Sequence, residues 1–234
     1  LARFSAPEPP SGDKQATPLL GAALATAISF SILLALGVWQ IQRLHWKQGL
    51  IAQIDAAERT PPATLTSATP PLFARVQASG TLRPDHLALY GAEVRGMHIG
   101  AQAIQLLDRP GEKPLLVMLG WVPTDPTPHP QGGPASITGY VRLPEPPGWL
   151  SASDDLQGRH FYSLNPTTIG AALGAANVAP FTLIAMGSAA APGSPQPATE
   201  LPRPTNNHLQ YAFTWFGLAG SLLGVFCVWA VKRL

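Results

Sequence analysis

The sequence predicts a membrane protein of the α+β class. Two transmembrane helices, N- and C-terminal, flank an antiparallel β-rich, water-facing domain with one short helix. Three observations predict it. No charged residue occurs from Gln15 to Gln42 or from Pro204 to Val231. Charged residues make up only 12% of the 234 residues, about half the share usual in soluble domains. Between the two uncharged stretches, short apolar runs alternate with turn residues, and most of the 26 prolines fall there.

The first span centres on Leu19 to Ile41. As a helix this stretch is about 34 Å long, enough to cross the hydrocarbon core. A cleavable leader would have a shorter apolar region and a small-residue cleavage site. This run instead ends in Trp39-Gln40-Ile41-Gln42-Arg43, an aromatic and cationic edge suited to a membrane interface. The second apolar core, Leu209 to Val231, is closed by Lys232-Arg233. The expected layout is a disordered tail over 1–17, a span over 18–44, a β-rich domain over 45–203, a span over 204–231 and an end at 232–234. Residues 187–203, rich in Ala, Pro, Gly and Ser, read as a flexible tether. Two spans place both termini on one side. Positive charge near the helix ends is balanced, so charge alone does not choose the side.

Small residues recur every four positions at Ala23, Ala27, Ser31 and Ala35, and Ala212, Phe216, Gly220 and Gly224 share such a spacing. These faces are expected to pack closely, against each other or against a partner. Past Arg43 the helical pattern continues through Trp46, Leu50, Ile51 and Ile54 until Pro61-Pro62 stops it. Seven strand candidates follow, at 73–82, 86–90, 98–107, 115–122, 137–143, 159–163 and 181–186, suggesting an antiparallel sheet or barrel-like domain. Asn165 as N-cap, Pro166 at the first helical position and Gly174 at the end mark one short helix.

Several function classes lack support. There is no stripe of basic residues for nucleic acid, no phosphate-binding loop and no nucleophile elbow. The single cysteine, Cys227, excludes an internal disulfide, and the six histidines form no paired zinc spacing. Asp154-Asp155 reads as a solvated turn. No catalytic constellation is present, so an enzyme is not expected. A two-span sensor would need an output module for which the termini leave no room.

The informative residues sit at the two membrane boundaries. Trp39, Arg43 and Trp46 share one helix face, with Arg43 placed to lie over an indole; Gln40 and Lys47 lie on the adjacent face. His208, Tyr211 and Trp215 share a face at the start of the second span. Antiparallel neighbours would bring both clusters to one membrane surface. A neutral imidazole there suits haem iron, a flat aromatic wall suits a porphyrin, and Arg43 or Lys47 suits its propionates. Interface anchoring alone would select the same residue types.

These residues also carry a resemblance. Leu36 to Arg43 followed by Trp46-Lys47, then Gly120-Trp121-Val122-Pro123, then Asn206 to Ala212 with Trp215-Phe216 resemble, in order, the motifs of the Surfeit-one family of cytochrome oxidase assembly factors. The likeness covers nearly the whole chain, and the last block is its most specific part. It implies a bacterial inner-membrane protein with cytoplasmic ends and a periplasmic central domain, or a mitochondrial one facing the intermembrane space; Glu8, Asp13 and the prolines of residues 1–17 do not resemble an Arg-rich transit peptide and favour the bacterial form. It also implies assistance in haem insertion into, or stabilisation of, the large catalytic subunit of a haem-copper oxidase. Haem of the a or o type would be held transiently, with His208 as the iron-ligand candidate and Tyr211, Trp215, Trp39, Arg43 and Lys47 around it. Partners would be that subunit, other oxidase subunits and the bilayer, with no nucleic acid. The alternative is a stable accessory subunit of a quinol or cytochrome c oxidase with no cofactor of its own. Met118-Leu119 replaces the family's usual Asn-Arg before Gly120, and the expected Gly-Tyr pair is altered around Gly100-Ala101. These departures suggest a divergent member.

Overall fold

The computed structural model describes residues 16–66, 68–145, 148, 152–189, 191 and 193–233. The tail expected over 1–17 lies almost wholly outside the described residues. Two compact units are present: the long helices up to Ile51 and from Pro204 form one, and Ala52–Arg203 the other.

Helix α1 runs unbroken from Ala16 to Arg59, 44 residues, and α3 from His208 to Val231, 24 residues. Both are long and apolar enough to cross a membrane. At 1.5 Å per residue α1 is about 66 Å long, roughly twice the hydrocarbon thickness. Its last two turns belong to the second unit, where Ile54 is fully buried. Pro61-Pro62 removes the backbone donors that another turn would need.

In the second unit the strands are β1 (Ala63–Thr64), β2 (Arg75–Leu82), β3 (Ala88–Arg95), β4 (His98–Asp108), β5 (Leu115–Pro123), β6 (Gly133–Arg142), β7 (His160–Phe161) and β8 (Thr182–Ala185). Every expected strand is found, and β1 is additional. The sheet order is β1-β2-β6-β8-β5-β4-β3-β7, and β2 also pairs with β4. That last pairing, Thr81 with Asp108 and Leu82 with Leu107, closes β2, β6, β8, β5 and β4 into a barrel. Beside the seam, the Arg83 guanidinium donates twice to the Asp108 carboxylate, at 2.7 and 2.8 Å. The hydrogen bond to Asp108 raises the already high pKa of Arg83.

The pairing is mostly antiparallel, as expected, but β1–β2, β5–β8 and β3–β7 are parallel. Parallel neighbours need a crossover, and α2 (Pro166–Ala172) lies in the one that leads into β8. Asn165 caps α2 by accepting from the backbone N–H of Thr167 and Thr168, and Gly174 ends the turn at φ +78°. The barrel interior is filled by Val76, Leu107, Leu115, Val117, Val141 and Leu183 with their neighbours. Gln105, fully buried, satisfies its amide on the Arg83 and Gln131 carbonyls and the Gln131 N–H.

Two expectations are refined. Part of the stretch read as a flexible tether is held against the sheet. Gln196 exchanges backbone hydrogen bonds with Trp121, Ala198 bonds to Ala185 and Gly187, and Leu201 is buried. Alternation of Pro and small residues hid this, because one-sided strand pairing needs no apolar periodicity. Asp154-Asp155 is indeed a turn, but a pinned one. Asp154 accepts from the N–H of Tyr162 and Ser163 and from the Ser163 hydroxyl; Asp155 accepts from the N–H of Gln157 and Gly158.

Burial works to raise the Asp154 pKa, but the Ser163 hydroxyl and the two backbone donors outweigh it and hold the carboxyl below its ordinary value. Its contribution to stability is therefore complete above about pH 4, the unfolded value, and is lost as pH falls through the folded one. Asp154→Ala is expected to cost about 1–3 kcal/mol at neutral pH by orphaning these donors. The difference from wild type should shrink in acid, as followed by urea unfolding in detergent at a series of pH values. Leu183→Ala, in the barrel interior, is expected to cost about 2–5 kcal/mol. Met97→Ala, at a tip that is 96% exposed, should stay within about 0.5 kcal/mol in the same assay.

Candidate functional site

The first unit holds the residues that the sequence singled out. On α1 the covered positions alternate at three and four residues: Thr26, Phe30, Leu33, Gly37, Gln40, Leu44 and Lys47. On α3 they are His208, Ala212, Trp215, Ala219, Leu222, Phe226 and Trp229. Such spacing is the seam of two helices crossing at a shallow angle. Part of the expected contact is present, since Ala212 is buried in the seam and Phe216 packs against α1, and part of it is not. Ala27, Ser31 and Ala35 are exposed, and a side chain built at Gly220 or Gly224 would meet nothing within 4 Å. The close approach is instead at Gly37, where a β-carbon would stand 2.5 Å from the Phe216 ring. The aromatic ring takes the volume that any larger residue at 37 would need, while Ala27, Ser31, Ala35, Gly220 and Gly224 face outward.

At the His208 end of this seam the two helices exchange polar contacts. His208 Nδ1 lies 2.6 Å from Gln40 Oε1. Gln40, only 8% exposed, is one of few buried polar side chains among the described residues. The Trp39 ring meets the imidazole edge-on, with centroids 6.4 Å apart and planes at 83°. Lys47 Nζ donates to the Thr205 carbonyl at 2.5 Å. Arg43 lies over the Trp46 ring, 3.9 Å from its centroid, as the spacing predicts. Trp215 lies on the same face of α3 as His208, and its buried Nε1–H has no acceptor. Asn206 Oδ1 is likewise buried without a donor.

His208, Trp39, Lys47 and Trp215 are therefore on the covered side or in contact with it. Tyr211 is not: it turns outward, 54% exposed, because its position falls between seam residues. Arg43 is spent on Trp46 rather than on the imidazole. Gln40 is the residue that sequence reasoning left in the background. Its signal was available: an amide within an apolar span must find a partner, and His208 is the polar group that begins the other span.

The chemistry of these residues is of the kind that a haem takes: one free imidazole nitrogen, aromatic rings and cations. His208 uses one ring nitrogen on Gln40, and among the described residues nothing bonds to the other. Trp39 brings a flat aromatic ring beside the imidazole, and the Trp215 N–H is buried in the seam without an acceptor. Arg43 and Lys47 supply positive charge at the membrane edge. Among the described residues no three His, Cys, Asp or Glu side chains gather around a metal position. A separate cavity of about 590 Å³ in the second unit is lined by Ala56, Ala57, Leu65, Pro70, Pro71 and Val76, and none of the site residues borders it.

The family model described as the SURF1 family matches residues 27–220, most of the chain. This chain belongs to the SURF1 family. That family is known for cytochrome oxidase assembly factors rather than for enzymes. The chain is 28% identical to a SURF1-like protein of Rickettsia felis over 221 residues, covering 88% of this chain and 95% of the relative. It is 27% identical to one of Rickettsia conorii over 215 residues, covering 86% and 88%. A third, of Rickettsia bellii, is 26% identical over 222 residues, covering 88% and 89%.

The structure gives the mid-domain SURF1 motif a physical role. Gly120 has φ +132°, and a β-carbon there would collide with the Gln196 backbone. Trp121 exchanges both backbone hydrogen bonds with Gln196, its Nε1 donates to the Glu93 carbonyl, and Arg95 lies 5.3 Å above its ring. The motif thus holds the returning chain on β5. The departure at Leu119 also has a place, since its side chain lies in the barrel interior. An Arg there would have to bury its charge or re-aim the strand.

Gly37→Leu is expected to lower the thermal midpoint of the detergent-solubilised protein by forcing the helices apart at Phe216. Phe216→Ala combined with it should recover most of the loss. A double-mutant cycle by thermal unfolding checks this, with a coupling of about 0.5–3 kcal/mol expected for side chains in contact.

Proposed function

We propose that this chain is an assembly factor for a haem-copper terminal oxidase, holding haem transiently at the outer ends of its two membrane helices. Its task is insertion of that haem into, or stabilisation of, the large catalytic subunit. The observation that carries the reading is the placement of His208. A single imidazole starts the second span, is tied across to the first by Gln40 and is flanked by Trp39, in a SURF1 chain. The haem supplies an iron that takes one neutral nitrogen. The protein supplies that nitrogen at His208, an aromatic wall at Trp39 and Trp215, and cationic edge groups at Arg43 and Lys47. One protein ligand suits a carrier, because a second would hold the cargo more firmly. In this reading the chain sits in a bacterial inner membrane with its central domain in the periplasm.

A second reading has one observation in its favour. The outward Gly217, Gly220 and Gly224 have nothing within 4 Å of a built β-carbon. They leave room for a partner's helix, as a permanent accessory subunit would need. Co-purification with mature, active oxidase at fixed stoichiometry supports that reading over a transient carrier.

Protein purified from cells making haem A or haem O is expected to carry haem by its absorption spectrum. His208→Ala should carry at least about tenfold less, as expected for loss of a ligand whose outer partner alone is worth that much. Equal haem in the two proteins overturns the haem-holding role.

A further inference from the structure

We infer that Gln40 is a positioning residue for His208: its amide oxygen fixes the imidazole as the Nδ1–H tautomer and leaves Nε2 as the atom that ligates. The inference rests on the haem-holding role above and deepens it. The argument begins with chemistry at a 2.6 Å contact between His208 Nδ1 and Gln40 Oε1. An amide oxygen accepts and never donates, so the proton lies on Nδ1. A neutral imidazole has one N–H, and Nε2 then carries the lone pair. Metal-bound histidines are ordinarily oriented in this way, by an acceptor on the nitrogen that faces away from the metal.

The surroundings make the contact specific. Gln40 is buried between Gly37 and Leu44 on the seam of α1, where lipid offers no hydrogen bond. Its oxygen therefore has strong reason to keep the imidazole. Trp39, edge-on to the ring, restricts rotation about the Cβ–Cγ bond from one side. Gly37 allows the approach, because Phe216 occupies the space a larger residue would claim. The ligating nitrogen thus comes from one span and its orientation from the other. A free His208 would sample both tautomers and several ring positions, and only part of that population would present Nε2.

Gln is also a neutral acceptor. It orients the ring without drawing the Nδ1 proton away as a carboxylate would. A ligand made less imidazolate-like binds ferric iron less firmly, which suits release.

The test uses the full chain in detergent, labelled with 15N histidine, first without haem. The His208 resonances are identified by their loss in His208→Asn. Wild type should show the Nδ1–H tautomer at His208. Gln40→Glu, which keeps an acceptor, should retain it; Gln40→Leu should move the population toward Nε2–H. The same proteins are then reconstituted with ferric haem A. Gln40→Leu should bind about tenfold or more weakly. In the ferrous state the iron–histidine stretching frequency should rise in Gln40→Glu and fall in Gln40→Leu. Recovery of binding by Gln40→Glu shows that lost affinity in Gln40→Leu is not a folding defect. An unchanged tautomer and affinity in Gln40→Leu overturns the inference even where haem binds through His208. Absence of haem binding in wild type, with the tautomer still dependent on Gln40, overturns the haem-holding role and leaves the positioning intact.

Discussion

The fold depends on a constraint at the end of the central domain: the chain must come back. Two spans can meet only if the residues that leave the domain return to where α1 delivered them. The last strand-like segment does this. Gln196 pairs with Trp121, Ala198 pairs with both sides of Met186, and Leu201 is buried. Arg203 then reaches Asp55 and Glu58 in the final turns of α1, at 2.9 and 2.5 Å. Exposed ion pairs are individually weak. The backbone pairing and the buried leucine set the path, and the charges complete it. Gly120 is indispensable here because any side chain would occupy the place of the Gln196 backbone.

The chemistry at the helix ends follows from the same economy of polar groups. A span cannot bury an unpaired amide or imidazole without penalty. Gln40 and His208 answer this by satisfying one another, and Lys47 answers it on the Thr205 carbonyl. The second imidazole nitrogen, the Trp215 N–H and the Asn206 Oδ1 are left without partners among the described residues.

Much of this was legible in the sequence, for physical reasons. Uncharged runs as long as a bilayer leave few alternatives to a span. Asn165, Pro166 and Gly174 specify the start and end of α2 by local stereochemistry. The strands announced themselves because turn residues bound them. The seam between the spans was legible only in part, at Ala212 and Phe216. Gly220 and Gly224 imitate a contact motif, while the true close approach relies on one glycine opposite a phenylalanine, a pair that no spacing rule marks. Tyr211 was grouped with His208 because i and i+3 are neighbours on a helix; alternate steps of three and four turn it out of the seam. The 196–201 segment was missed because its pairing is set by a distant glycine rather than by its own composition.

One feature of the sheet bears on how the protein is made. The four residues of β8, all buried, lie between β5 and β6 and join them. They are also the last strand to be synthesised. Until residue 185 has emerged, β5 and β6 each have an unpaired edge and the barrel cannot close. The nascent domain must therefore be kept open, and its edges guarded, while nearly all of it is translated. Closure of the barrel is thus set by the end of the chain: it waits until β8 has been made.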